Sequence, residues 1–384
     1  MKVRIFASTH PGYQLSTYDA LKIAGIEAGI CYMPEDFDTL LMEPDKRTFA
    51  RVRGTVGSGH HSVAGHPSYC LILEDIPKIV AMLLNNERDY NTSEKSGRYT
   101  VMHSEGEELR IYEKWCKKFE ELISAKYPEI APKTVRKLAL ENARYFISVF
   151  TPSTTMGYTV DLRQLNYLIG FCDTLLDQPS DDLFITKLKP WVRELAALLR
   201  SVANVEGLRD NKGREFSLFA KRAHSVQWGE CYSTNYYGSF AQLAQAHRHR
   251  SIVYDMKIPD LSEACFYVPP ILEESDLVSE YLADMFILRE NYPQGMLVLI
   301  NERGTAEDFC KKCHERLCGA VQLETCLQTE KTLREYMSGC VRSDDPNIYM
   351  LLSQFLGKTK CQLGYYKCDR PCPLGPQHAF DRLV

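Results

Sequence analysis

The stretch SFAQLAQAHRHRS, residues 239–251, sets His247, Arg248, His249 and Arg250 directly behind an apolar run with helical spacing. A solvated helix end is one reading, since Arg and His suit the negative end of the helix dipole. An anion site is the other, because the guanidinium fork grips phosphate with two parallel hydrogen bonds. Working outward, the strand-like Cys231–Tyr237 precedes the helix. Further on, Thr305 with Asp308 starts a helix running to about Met337, interrupted near Gly319.

The first half offers a second anion-binding string, SEKSGRYT at 93–100, in which a small-residue turn leads into Arg98. A surface turn is its alternative. Before it come GHHSVAGHPS (59–68), a strand at 68–75 and a helix over 76–88 with Ile79, Val80, Leu83 and Leu84 on one face. The three His of 59–68 lack the Cys or carboxylate companions of a zinc motif. Helices are predicted at 105–126, at 132–148 with Pro132 in its first turn, at 160–175, at 182–203 and at 276–290. The mixture is α+β.

The 384 residues suggest two domains. A net charge of −4 and pI near 6.2 argue against a general nucleic-acid binder, which needs a basic face. The start lacks an apolar leader and no run is long enough for a membrane span, so fourteen Cys read as reduced thiols of a cytoplasmic protein. Eight of them lie between Cys310 and Cys372. Cys340, Cys361, Cys368 and Cys372 are a candidate structural zinc set, with burial as apolar cysteines the alternative.

Together the strings resemble the flavin-dependent thymidylate synthase (ThyX) family. Its signature is Arg-His-Arg followed, after seven residues, by Ser-x-Arg-Tyr. Ser96 lies eight positions after Arg88, which puts Asn86, Glu87 and Arg88 where the triplet belongs. The first half keeps Glu94, Ser96, Gly97, Arg98 and Tyr99. The second keeps Arg248, His249 and Arg250, with Gln245 three residues earlier, and has lost the Ser-x-Arg-Tyr. His224-Ser225 stands where the family's leading His motif belongs. ENARYFISVFTP (141–152) resembles the family's Ala-Arg turn and offers Arg144. Asp161-Leu162-Arg163 matches Asn-x-Arg, but Cys172 replaces the Arg nine residues later. Arg316 followed by VQLE (321–324) supplies that element in the second half.

The resemblance implies two fused ThyX-like α/β repeats forming a pseudo-dimer. Residues 1–205 would be the first, 206–338 the second, and 339–384 a Cys-rich tail. It further implies a homodimer forming a pseudo-tetramer, and C5 methylation of dUMP or a related pyrimidine nucleotide. FAD would be the cofactor, with NADPH and methylenetetrahydrofolate as co-substrates. Substrate contacts would be Glu94, Ser96, Gly97, Arg98, Arg144, Gln245, Arg248 and Arg316. Arg98, Arg316 and Ser96 would lie nearest the chemistry, Ser96 as a contact and not a nucleophile. His60, Ser62, Arg163, Arg248, His249 and Arg250 would face the flavin. A non-catalytic nucleotide-binding relative is the competing reading, since each half has lost part of the motif.

Overall fold

Alternating burial along SYCLILED makes a strand, and the helices form where apolar residues recur at three- and four-residue steps. In a computed structural model describing residues 1–10, 14–88, 90–98, 100–209, 215–342, 345–369 and 372–384, the mixture is α+β. The elements run β1 (Lys2–Ser8), α1 (Thr17–Tyr32), α2 (Phe37–Leu41), α3 (Asp45–Gly57), β2 (Ser68–Ile76), α4 (Lys78–Asn86) and β3 (Tyr90–Glu94). Next come α5 (Gly106–Lys126), α6 (Pro132–Ala143), β4 (Thr154–Asp161), α7 (Leu162–Asp177) and α8 (Leu183–Val202). The chain continues through β5 (Cys231–Ser239), α9 (Phe240–Ala246), β6 (Val253–Lys257), α10 (Pro270–Glu273) and α11 (Val278–Ile287). It ends with β7 (Leu297–Thr305), α12 (Ala306–Arg316), α13 (Leu323–Arg342) and α14 (Pro346–Ser353). Among the described residues no helix is long and apolar enough to cross a membrane.

Two compact units emerge, and they are interleaved in sequence. The first comprises residues 1–95 and 152–217, the second residues 96–151 and 218–384. The physical reason lies in α5. Its apolar stripe (Ile111, Tyr112, Trp115, Phe119, Ile123) shares a core with Tyr281, Met285 and Leu288, far along the chain. The Trp115 ring meets Tyr281 edge-on, with centroids 5.1 Å apart, and its indole N–H donates to Asp284 at 2.7 Å.

The first unit holds an antiparallel sheet of order β1-β2-β4-β3. Tyr69, Leu71 and Leu73 turn to its buried side. Helix α4 is buried on every face, Ala81 and Met82 included, so the single apolar face expected for it understates its burial. The second unit holds an antiparallel sheet of order β5-β7-β6. Each sheet has its latest strand in the middle, followed at once by a helix (α7 and α12).

Several helix ends differ from their predicted limits. Helix α9 stops at Ala246, with His247 capping it, so the cationic triplet lies beyond the helix. Helix α6 stops at Ala143 and passes through a 3-10 turn at Arg144–Phe146 into extended backbone at Ile147. Helix α11 is shorter than 276–290. Asp308 N–H donates to Thr305 Oγ1 at 3.2 Å, the cap expected for α12. The tail 339–384, whose Cys, Pro and Gly content suggests an irregular segment, contains the end of α13 and all of α14.

Candidate functional site

In the second unit, residues from both halves of the chain converge on a cluster of arginines. Arg98 follows the Ser96-Gly97 turn, where its backbone N–H donates to Ser96 Oγ at 3.3 Å. Its Nε donates to Glu141 Oε2 at 2.8 Å and its Nη2 to the Ala320 carbonyl at 2.7 Å. Gly97 is needed for close approach and not for its backbone angle. A Cβ there would lie 2.9 Å from Met102 Sδ and 3.6 Å from Arg144 Cδ.

Arg144 is buried at the end of α6 and donates to Gln322 Oε1. Gln322 in turn donates to the Tyr145 hydroxyl, which donates to Glu324 Oε2 at 3.0 Å. Glu324 also receives the Ser239 N–H at 2.8 Å and hydroxyl at 2.6 Å. The VQLE segment thus fixes both the start of α9 and the side chain of Arg144. Arg316 at the end of α12 donates to the Gln245 carbonyl at 3.2 Å. Burial lowers the pKa of both Arg144 and Arg316. For Arg316 the nearby Arg248 and Arg98 charges act in the same direction, and for Arg144 so does Arg98.

Four buried polar atoms here have no hydrogen-bond partner among the described residues: Arg144 Nε, Arg316 Nε, Gln245 Oε1 and His249 Nε2. Such orphans are expensive in a protein interior unless something else satisfies them. A ligand with acceptor oxygens for the two guanidinium N–H groups and a polar ring for Gln245 Oε1 and His249 Nε2 meets that need, so the set fits a phosphate and a heteroaromatic ring. The His249 pKa is pushed down to about 2, first by burial and then by the charges of Arg316 and Lys312. The ring is therefore neutral at every physiological pH. An NMR titration should find its ring nitrogens unchanged between about pH 5 and 8, whereas an exposed His would titrate near 6.5.

Behind these residues lies a buried ion pair that the sequence reading missed. Lys312 Nζ sits 2.5 Å from Glu302 Oε2, and both side chains are wholly buried. Tyr232 and Tyr236 donate to the same carboxylate, each at 2.7 Å. The Lys312 ammonium lies 6.0 Å from the Tyr236 ring centroid and 5.8 Å from that of Tyr254. Glu141 was also missed as a site residue. It stands three positions before Arg144, within the ENAR stretch already singled out.

The first unit holds the other expected residues. His60 caps the 3-10 turn His61–Gly65, which contains Ser62, and its ring is edge-on to Tyr32 at 6.2 Å. Arg163 opens α7, 3.8 Å from Asp161 Oδ2. The turn and α7 are neighbours, since Leu162 N–H donates to the Pro67 carbonyl at 2.8 Å. Glu94 accepts from Lys78 at 2.5 Å and from Asn85 at 3.1 Å. The first-half positions of the triplet are tied to their own chain. Asn86 Nδ2 donates to Ser217 Oγ at 2.7 Å, and Ser217 N–H and hydroxyl donate to Glu87 Oε1 at 2.8 and 2.9 Å. Arg250 is exposed in the second unit. Tyr99 lies outside the described residues.

In the tail, Cys340 is buried in α13, Cys368 is exposed, and Cys361 and Cys372 are half-buried. Burial pushes the Cys340 and Cys372 thiols up. Among the described residues no three His, Cys, Asp or Glu side chains are grouped so as to hold a metal ion.

Residues 15–173 match the family model described as thymidylate synthase complementing protein. That span includes His60, Ser62, Glu94, Arg98, Arg144 and Arg163. Solved structures similar to this chain include a UMP/dUMP methylase, PolB from Streptomyces cacaoi, bound with 5-Br dUMP. It is 15% identical with a TM-score of 0.35, over 52% of this chain and 90% of that one. Another is the flavin-dependent thymidylate synthase ThyX from Helicobacter pylori complexed with FAD and dUMP. It is 16% identical with a TM-score of 0.30, over 53% of this chain and 99% of that one. A second Helicobacter pylori ThyX structure with FAD and dUMP is 17% identical with a TM-score of 0.32, over the same shares of 53% and 99%. A search of the curated proteins finds no match.

Proposed function

We propose, from the resemblance to flavin-dependent thymidylate synthases that residues 15–173 carry, that this chain is a flavoenzyme alkylating C5 of dUMP or a related pyrimidine nucleotide. The observation that carries the reading is the arginine cluster of the second unit. Arg98 and Arg144 come from one half of the sequence and Arg248 and Arg316 from the other. Of these, the Nε–H groups of Arg144 and Arg316 are buried without a hydrogen-bond partner among the described residues.

The tandem-repeat reading has support of its own. The order β2-α4-β3, then β4-α7, is repeated as β5-α9-β6, then β7-α12, and the corresponding strands lie in the sheet orders β2-β4-β3 and β5-β7-β6. Counting eight residues on from the first residue of α4 reaches Asn86, and eight on from the first residue of α9 reaches Arg248. The helices therefore put Asn86-Glu87-Arg88 and Arg248-His249-Arg250 in register. A homodimer would supply the four repeats of a pseudo-tetramer.

In this reading Arg98, Arg144 and Arg248 hold the phosphate. Arg316 polarises a pyrimidine carbonyl and so stabilises the charge that develops as C5 becomes nucleophilic. Ser96 and Gln245 orient the nucleotide. Neutral His249, with Arg248 and Arg250, would hold FAD, and His60, Ser62 and Arg163 carry the same role in the first unit. When bound, reduced FAD supplies hydride, renewed by NADPH, and methylenetetrahydrofolate supplies the carbon. The protein contributes position and charge, with no side chain as nucleophile.

The alternative, a non-catalytic nucleotide-binding relative, is favoured by one observation: Asn86 and Glu87 are engaged with Ser217 where an active triplet would face a ligand. Titration with FAD separates the two. The enzyme reading expects a flavin absorbance band that co-elutes with the protein and is perturbed by dUMP. Protein that stays colourless after reconstitution with FAD sinks it.

A further inference from the structure

We infer, on the nucleotide reading above, that Arg382 is a positioning residue of the site and makes the C-terminal tail a part of it. Arg382 lies near the end of the chain, outside the residues that match the family model, and no motif singles it out. The segment 317–322, between α12 and α13, is where the site's connections meet. Arg316 stands directly before it. Its Ala320 carbonyl accepts from Arg98 Nη2 at 2.7 Å, and its Gln322 Oε1 accepts from Arg144. The segment is neither helix nor strand, so its carbonyls depend on partners outside a regular ladder. From 317 to 321 each carbonyl has one. Leu317 accepts the Lys360 N–H at 3.1 Å, and Cys318 accepts the Val321 N–H at 3.1 Å. Arg382 Nη1 donates to the Gly319 carbonyl at 2.7 Å, and its Nη2 donates to the Val321 carbonyl. Arg382 thus holds the carbonyls on either side of the one that Arg98 takes.

The tail also packs on the segment. A Cβ at Gly319 would lie 2.8 Å from Cys372 Sγ, so glycine is what lets the tail approach this closely. Arg382 is buried, and its Nε–H has no hydrogen-bond partner among the described residues. A buried guanidinium tied to neutral carbonyls is costlier than a neutral tie would be. Its fork, however, serves two carbonyls two residues apart from one rigid plane. Loosening it frees the backbone of 319–321, and with it the Ala320 carbonyl that orients Arg98 and the start of Gln322 that orients Arg144.

The test is a double-variant cycle, read by calorimetric titration of dUMP into the full chain with FAD present. Arg382→Gln, whose amide nitrogen ends two bonds short of the guanidinium tips, is expected to weaken dUMP binding about tenfold, as for one lost hydrogen bond to a charged group. Arg382→Lys keeps the charge but not the fork and should fall between wild type and Arg382→Gln. In an Arg98→Ala background the Arg382→Gln change should weaken binding by only about threefold, because part of its effect passes through Arg98. A residue that only stabilises the fold would leave the affinity of folded protein unchanged or lower it equally in both backgrounds. Equal losses in the two backgrounds, or wild-type affinity in both Arg382 variants, therefore overturn the inference. Thermal unfolding identifies a variant that does not fold. Should Arg382→Gln be one, Arg382→Lys carries the cycle under the same two criteria. When wild type binds dUMP and the Arg382 variants match it, this inference alone fails. When wild type binds no dUMP, the nucleotide reading fails and the positioning role with it.

Discussion

Replacing Lys312 with Met is expected to cost this protein about 3–5 kcal/mol of stability, the usual penalty for stranding one partner of a buried ion pair. Lys312 and Glu302 are both wholly buried and 2.5 Å apart. The Tyr232 and Tyr236 hydroxyls that also serve Glu302 cannot neutralise it. The double variant Lys312→Met/Glu302→Gln should recover most of the loss, because no uncompensated charge is left behind. Urea unfolding followed by circular dichroism reads both variants. A single variant within about 1 kcal/mol of wild type would show that the pair contributes little. The effect has a functional side too, since Lys312 is one of the two charges that help keep His249 neutral.

The second large effect concerns the arginines. Arg98→Ala and Arg248→Ala should each weaken dUMP binding by about 100-fold or more, through loss of charge-assisted hydrogen bonds worth roughly 1.5–3 kcal/mol apiece. Arg98→Ala carries an added penalty, because Glu141 would remain as a repelling carboxylate beside the phosphate. The two residues come from different halves of the sequence, so the pair is a direct test of a shared site. Retention of wild-type affinity by either variant refutes it. Circular dichroism and thermal unfolding separate this loss from misfolding.

What could be read in the sequence follows from how local its causes are. Helix α5 was legible because its own residues carry a complete amphipathic stripe. The capped start of α12 was legible because Thr305 and Asp308 satisfy each other within one turn. Strand β7 was not. Its middle residues Asn301 and Glu302 are polar and fully buried, a pattern that reads as a loop until their partners are known. Those partners, Ser233, Asn235, Tyr232, Tyr236 and Lys312, lie on β5 and α12. The grouping of residues 96–151 with the second half was hidden for the same reason, since the Trp115–Tyr281 core joins positions far apart in the chain. Within the candidate site, Arg98, Arg144, Gln245, Arg248 and Arg316 are the residues that the motifs single out. The Glu141 ion pair with Arg98 escaped because nothing in its spacing distinguishes a paired carboxylate from one on a helix surface.

The tie between Ser217 and the Asn86-Glu87 pair bears on how reversible such a divergence can be. On the paired-repeat reading, restoring Arg and His at 86 and 87 would not restore a binding site. The new side chains would meet a serine whose N–H had lost its Glu87 acceptor and whose hydroxyl kept only the backbone carbonyl of residue 86. The residues at 86, 87 and 217 are thus mutually contingent: Asn86 and Glu87 engage Ser217, and changing any one of the three alone is penalised. The asymmetry between the two halves behaves as a ratchet, and a protein engineer seeking two equivalent sites would have to rebuild the 215–217 segment first.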